Sequence, residues 1–67
     1  MIRITVNGAA HRFEAPVDVR ALLEKLAMAG KKVAVERNGE IVPKSLHAKT
    51  LVEDGDQLEI VVAVGGG

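Results

Sequence analysis

Apolar and polar residues alternate from the first strand-length segment onward. Ile2, Ile4 and Val6 are separated by Arg3 and Thr5, a period of two that predicts a half-buried strand over residues 2–6. Asn7-Gly8 follows at once, and Asn-Gly favours a two-residue hairpin because both positions accept positive φ. The chain then returns as a second strand over residues 10–15, with His11, Phe13 and Ala15 on one face, until Pro16 closes it. Beyond Asp18 the period changes. Leu22, Leu23 and Leu26 form one stripe while Arg20, Glu24 and Lys25 face away from it, the spacing of an amphipathic helix. That helix is expected over residues 19–28, capped by the Asp18 side chain at its start and by a left-handed Gly30 at its end.

The second half reads in the same terms. Val33-Ala34-Val35-Glu36 predicts a third strand and Asn38-Gly39 a second turn. Residues 40–42 make a short fourth strand halted by Pro43, which has no N–H to give to a ladder. Residues 45–49 leave room for one helical turn, capped by Ser45. Glu53-Asp54-Gly55-Asp56 predicts an acidic turn with both aspartates in solvent. Residues 57–64 form the longest strand, with Leu58, Ile60, Val62 and Val64 on one face and Val61 and Ala63 on the other. The order ββαβ(β)β calls for two layers, one helix across one mixed sheet of four to five strands. An opening hairpin, a crossing helix and a final strand paired with the first in mid-sheet suit an α+β fold of β-grasp type. Residues 1–64 would form this domain and residues 65–67 a flexible glycine tail.

Composition narrows the function. The chain of 67 residues suffices for one small domain. Its lack of cysteine removes disulfides, thiolate catalysis and zinc–thiolate sites. Nine basic and nine acidic residues cancel, and Phe13 is the sole aromatic. Nucleic-acid binding, which draws on a basic excess or on stacking aromatics, is therefore not expected. The N-terminus has no signal-peptide pattern, and the longest apolar run, residues 60–64, is too short to cross a bilayer. The expectation is a cytoplasmic domain with no membrane partner and no cofactor of its own.

Candidate chemistry is sparse. Ser45, His47 and Glu53 can be written as a Ser–His–acid set, but nothing in their spacing imposes the geometry. His11 reads as a partly exposed strand residue, and Asp54 and Asp56 lack the cleft that acid–base work requires. Gly8, Gly39 and Gly55 are turn glycines in no phosphate-binding pattern. An enzyme is therefore not expected. Gly65-Gly66-Gly67 stands apart. It reads either as a frayed end or as a tail without Cβ atoms that can thread a narrow channel. At roughly 3.3 Å per residue, such a tail would present the Gly67 carboxylate about 13 Å beyond the fold.

Taken in order, these residues resemble the ThiS family, the sulfur carriers of thiamine thiazole synthesis within the ubiquitin-like β-grasp proteins. The resemblance spans the chain. It rests on Asn7-Gly8 after a short opening strand, on Leu22-Leu23-Glu24-Lys25-Leu26, and on the run from Val33-Ala34-Val35-Glu36-Arg37 through Asn38-Gly39-Glu40-Ile41-Val42-Pro43-Lys44. It continues with Asp54-Gly55-Asp56-Gln57-Leu58-Glu59-Ile60 and the terminal Gly66-Gly67. The resemblance implies a carrier acted on by others. A ThiF-like adenylating enzyme would use ATP to activate the terminal carboxylate, and sulfur from a donor system would displace AMP. A ThiG-like thiazole synthase would then draw sulfur from the thiocarboxylate. Gly67 would be the modified residue and Gly66 its obligatory small neighbour, with Gly65 and Gly66 entering the partner's site. Gly65 departs from the family pattern, where a residue such as alanine often stands.

Two expectations about docking come from the strand pattern. Val61 and Ala63 would lie on the open sheet face beside Met1, Arg3 and Thr5, as a partly apolar docking surface. Glu53, Asp54, Asp56 and Glu59 would lie near the base of the tail and steer a basic partner. A MoaD-like carrier serving molybdopterin synthesis and a ubiquitin-like modifier share the fold and the Gly-Gly end. The shorter chain and its lack of that family's typical aromatic residues favour the ThiS family over the MoaD-like one.

Overall fold

The opening alternation folds as a strand, β1 (Ile2–Val6), with Ile2, Ile4 and Val6 all buried. A computed structural model describes residues 1–62 of the chain. β1 turns through Asn7 and Gly8, at φ 50° and 83°, into the antiparallel β2 (Ala9–Phe13). After β3 (Val17–Asp18) come helix α1 (Val19–Lys25), β4 (Val33–Arg37) and β5 (Glu40–Val42). A 3₁₀ turn (Lys44–Leu46), β6 (Leu51–Val52) and β7 (Gln57–Val62) complete the order. Five strands form one mixed sheet in the order β2-β1-β7-β4-β5, and β3 pairs with β6 in a separate ribbon. β7 runs parallel to β1, with Thr5 opposite Gln57, and antiparallel to β4, with Val33 opposite Val62. The last strand therefore lies mid-sheet beside the first, as the β-grasp arrangement inferred from the element order predicts.

The helix begins where the sequence places it. The Asp18 carboxylate accepts the Ala21 N–H at 2.7 Å, satisfying one of the donors that a helix start leaves unpaired. α1 turns Val19, Leu22 and Leu23 inward to join Ile4, Val35, Leu58 and Ile60 in one buried cluster. Each such aliphatic side chain contributes roughly 1.5–3 kcal/mol through its removal from water. Leu22 and Leu58, at 0% and 1% exposure, sit at the centre of that contact.

Several local expectations are corrected. The helix stops at Lys25 rather than at residue 28, and Ala27, not Gly30, takes the left-handed position, at φ 59°. The Met28 N–H donates to the Leu23 carbonyl at 2.8 Å and the Ala27 N–H to the Glu24 carbonyl at 3.1 Å, the paired bonds of a Schellman cap. At about 100° per residue, a continued helix would carry residue 28 to the side opposite the leucine stripe. The early stop instead packs Met28 against the core. Gly30, at φ 84°, serves the next turn, closed by the Lys31 N–H on the Met28 carbonyl. β2 ends at Phe13 because Phe13 already pairs with Ile2, where β1 begins. Ala15 is therefore exposed and outside the ladder. Ser45 caps nothing: the 3₁₀ turn is entered from Pro43 with no side-chain cap.

Holding an alanine in the left-handed region costs roughly 1–2 kcal/mol, and glycine removes that strain while adding freedom to the unfolded chain. Ala27→Gly is therefore expected to stabilise the fold by about 0.5–1 kcal/mol, read as a higher urea midpoint. A lower midpoint would contradict this description of the helix end.

Candidate functional site at the end of the central strand

β7 is fastened on both flanks by asparagine side chains from the two Asn-Gly turns. On the β1 side the Asn7 N–H donates to the Leu58 carbonyl at 2.9 Å. Its side chain then extends the ladder beyond β1, with Nδ2 donating to the Ile60 carbonyl at 3.0 Å and Oδ1 accepting the Ile60 N–H at 2.7 Å. An amide side chain offers the donor and acceptor of a peptide unit, whereas an ionised aspartate offers no donor. On the β4 side, Asn38 donates its N–H to the Gln57 carbonyl at 2.7 Å and accepts the Gln57 N–H on Oδ1 at 2.9 Å. The start and the far half of β7 are thus held by different turns. Sequence reasoning identified both turns but not this second role, for which the choice of asparagine over aspartate is the available signal.

Asp56 fixes the start of β7. It is 7% exposed and accepts Arg37 Nε at 2.7 Å, the Glu53 N–H at 2.8 Å and Asn38 Nδ2 at 3.1 Å. Burial by itself raises the pKa of this carboxyl. The hydrogen bonds from the Glu53 N–H, Arg37 and Asn38, with the Arg37 charge, outweigh burial and hold it below the usual 3.8. The expectation of two solvated aspartates is therefore half right. Asp54 is exposed and accepts the Arg3 N–H at 2.8 Å, while Asp56 is a buried anchor.

The expected acidic steering at the tail's base is also corrected. Glu53, Asp54 and Asp56 precede β7, and a strand of this length sets them about 20 Å from Val62 at roughly 3.3 Å per residue. Glu59 alone of the four lies within β7, opposite Glu36 on β4.

The open face of the sheet carries the other candidate. Val61 is 63% exposed and pairs with exposed Ala34, while Ile41, 64% exposed, stands across from Glu36. Met1, Arg3 and Thr5 do not lie beside Val61. The parallel register sets Thr5 against Gln57, and the Gly55 N–H donates to the Arg3 carbonyl at 2.8 Å, which puts them toward the start of β7. Ala63, Gly65, Gly66 and Gly67 lie outside the described residues. The Ser45–His47–Glu53 set is not assembled. His47 is buried with Nε2 donating to the Val42 carbonyl at 3.1 Å, while Ser45 and Glu53 are exposed. Among the described residues no cluster of three or more His, Cys, Asp or Glu could hold a metal ion. Likewise no helix among them is long and apolar enough to cross a membrane.

The profile of the ThiS family matches residues 4–67, a stretch that includes Gly65, Gly66 and Gly67. The chain belongs to the ThiS family. That is the family of the sulfur carrier of thiamine biosynthesis. The sulfur carrier protein ThiS of Escherichia coli is 33% identical over 66 residues, covering 98% of this chain and 100% of that protein. The crystal structure of the thiamine biosynthesis protein ThiS from Geobacter metallireducens superimposes with a TM-score of 0.84 at 35% identity. That comparison covers 98% of this chain and 100% of the other, and it carries the β-grasp assignment. A thiazole synthase of Paramagnetospirillum magneticum is 52% identical over 66 residues. The match takes in 98% of this chain and 20% of that protein, so the chain spans about a fifth of the thiazole synthases it resembles.

The Asp56 anchor yields a pH prediction. Its folded pKa is lowered, so its stabilisation is present above the unfolded value of 3.8 and is lost as pH falls through the folded value. Asp56→Asn replaces an acceptor-only carboxylate that faces three donors with an amide whose NH2 opposes them. It is expected to cost about 1–3 kcal/mol at neutral pH. Urea titrations in steps from neutral pH to below 3.8 should show the gap between the two proteins narrowing with acid. A constant gap would remove Asp56 from the acid limb.

Proposed function

We propose that this ThiS-family chain carries sulfur as a thiocarboxylate on Gly67 and delivers it to thiazole formation. The observation that carries the reading is the family match through residue 67, which takes in the three glycines. A Gly67 carboxylate oxygen attacks the α-phosphorus of ATP within a ThiF-like enzyme, releasing pyrophosphate and leaving an acyl-adenylate. A persulfide of a donor system then attacks the adenylated carbonyl and displaces AMP to give an acyl disulfide. A second thiol attacks the donor's sulfur, forming a disulfide with it and expelling the Gly67 thiocarboxylate. The chain's own contribution is delivery. β7 is fastened at Gln57 and again at Ile60, which gives the chain a fixed point from which to leave the sheet, and Gly65 and Gly66 bring no Cβ into the partner's site.

The thiazole synthases that contain a stretch like this chain support a ThiG-like synthase as the sulfur acceptor. Joining a carrier to its acceptor raises their effective concentration. The face bearing Val61, Ala34 and Ile41 beside Glu36 and Glu59 suits docking of these partners through an apolar centre with a polar rim. A loading step that consumes ATP suits the cytoplasm.

The decisive experiment is the mass of the C-terminal peptide after incubation with an adenylating enzyme, ATP and a sulfur source. Exchange of one oxygen for sulfur at Gly67 is expected. Reading the peptide rather than the whole protein avoids confusion with oxidation of Met1 or Met28. An unmodified Gly67, with the enzyme active on a control carrier, would overturn the reading. Gly66→Val is expected to melt with the parent protein, because the buried core of the described residues lies between Ile2 and Ile60, yet to block adenylation. Val61→Glu changes an exposed side chain and should alter stability by less than about 0.5 kcal/mol. It should still lower kcat/KM for loading by roughly tenfold; equal loading would exclude Val61 from the docking face.

A further inference from the structure

Zero net charge conceals a segregation. On the helix side of the sheet, a depression of about 890 Å³ lies between α1, the following turn, the start of β4 and the 3₁₀ turn. Leu23, Met28 and Val33 give it an apolar floor, and all three pack in or against the core. Its rim carries Arg20, Lys31, Lys32 and Lys44, with Glu24 as the single acid. All four cations are exposed, and the ion pairs among the described residues involve only Arg37. The depression is also placed beside the exit of β7, since Val33 and Ala34 on its edge pair with Val62 and Val61.

We propose that this depression docks an acidic segment of a partner protein, one that sets an apolar side chain on the Leu23–Met28–Val33 floor between carboxylates that meet the basic rim. The floor calls for an apolar anchor, and unbranched Met28 adapts to the shape of one. The rim calls for negative charge on both sides of that anchor. No Phe, Tyr or Trp lines the depression, and the His47 ring at its edge is buried against the Val42 carbonyl, so a stacked base finds no exposed platform there. The depression lies mainly on the helix side and reaches the sheet edge at Ala34, which pairs with Val61, so a partner reaching the end of β7 can also touch the open face. This goes beyond sulfur transfer: it concerns recognition alone, and it stands or falls separately from any mass change at Gly67.

The test is a titration of the ¹⁵N-labelled full chain with a capped peptide rich in glutamate and leucine, followed by amide chemical shifts. A matched peptide with glutamine in place of glutamate serves as control. Shifts are expected at residues 23–33 and 44–48, with affinity that falls as salt rises. Lys31→Glu with Lys32→Glu should weaken binding about tenfold. Both lysines are exposed, and retained β7 amide dispersion will show that the double variant is folded. Lys31→Ala with Lys32→Ala should show a smaller loss of the same sign. Equal binding of the glutamine peptide, shifts confined to the Val61 face, no shifts at all, or indifference to charge reversal would each overturn the proposal.

Discussion

Parallel pairing of the first and last strands brings Thr5 against Gln57 across most of the chain. Parallel neighbours cannot be joined by a tight turn, so everything between them must form a crossover that returns β7 to the correct side. The register is secured by short polar contacts. The Gly55 N–H meets the Arg3 carbonyl, the Thr5 N–H meets the Asp56 carbonyl, and the Asn7 N–H meets the Leu58 carbonyl. The Asn7 side chain then carries the pairing on to Ile60. With β7 in place, β4 gains its partner, β5 gains β4, and Leu58 and Ile60 complete the surface on which α1 rests. A one-residue slip would exchange Leu58 and Ile60 for Glu59 and Val61 on the core side.

The two faces of the sheet have separate tasks. The helix-side face supplies the core, while the other leaves Val61 and Ile41 in solvent with Glu36 and Glu59 between them. Charge is sorted along the strands as well. Glu53, Asp54 and Asp56 lie where β7 begins, and bases gather around the end of α1 near Val61 and Val62. A neutral total thus coexists with a polarised surface.

Periodicity made most of the architecture legible. The alternation of Ile2, Ile4 and Val6, the leucine stripe of α1 and the two Asn-Gly turns all appear where the sequence puts them. What escaped depends on contacts distant in sequence. Asp56 is buried because Arg37 and Asn38 reach it from the β4–β5 turn, and no local pattern announces that. β3 and β6 contribute two residues each, too few for a period to register. Ala27 adopts a glycine-like conformation because Met28 is drawn to the core, a tertiary demand that overrides local preference. Val61 could be assigned to the open face by alternation, but its neighbour Ala34 required the strand register. The basic depression draws its charges from three separate segments, so no window of sequence contains it.

The shared direction of β1 and β7 also has a mechanical side. β1 begins at one end of this pair, and the described part of β7 ends at the other. A pull on the end of β7 against an anchored N-terminus therefore loads the bonds at Thr5, Asn7 and Ile60 together, in shear. A hairpin pulled at its open end parts one bond at a time, as a zipper does. A force applied beyond Val62 is thus shared among these bonds instead of meeting them one by one.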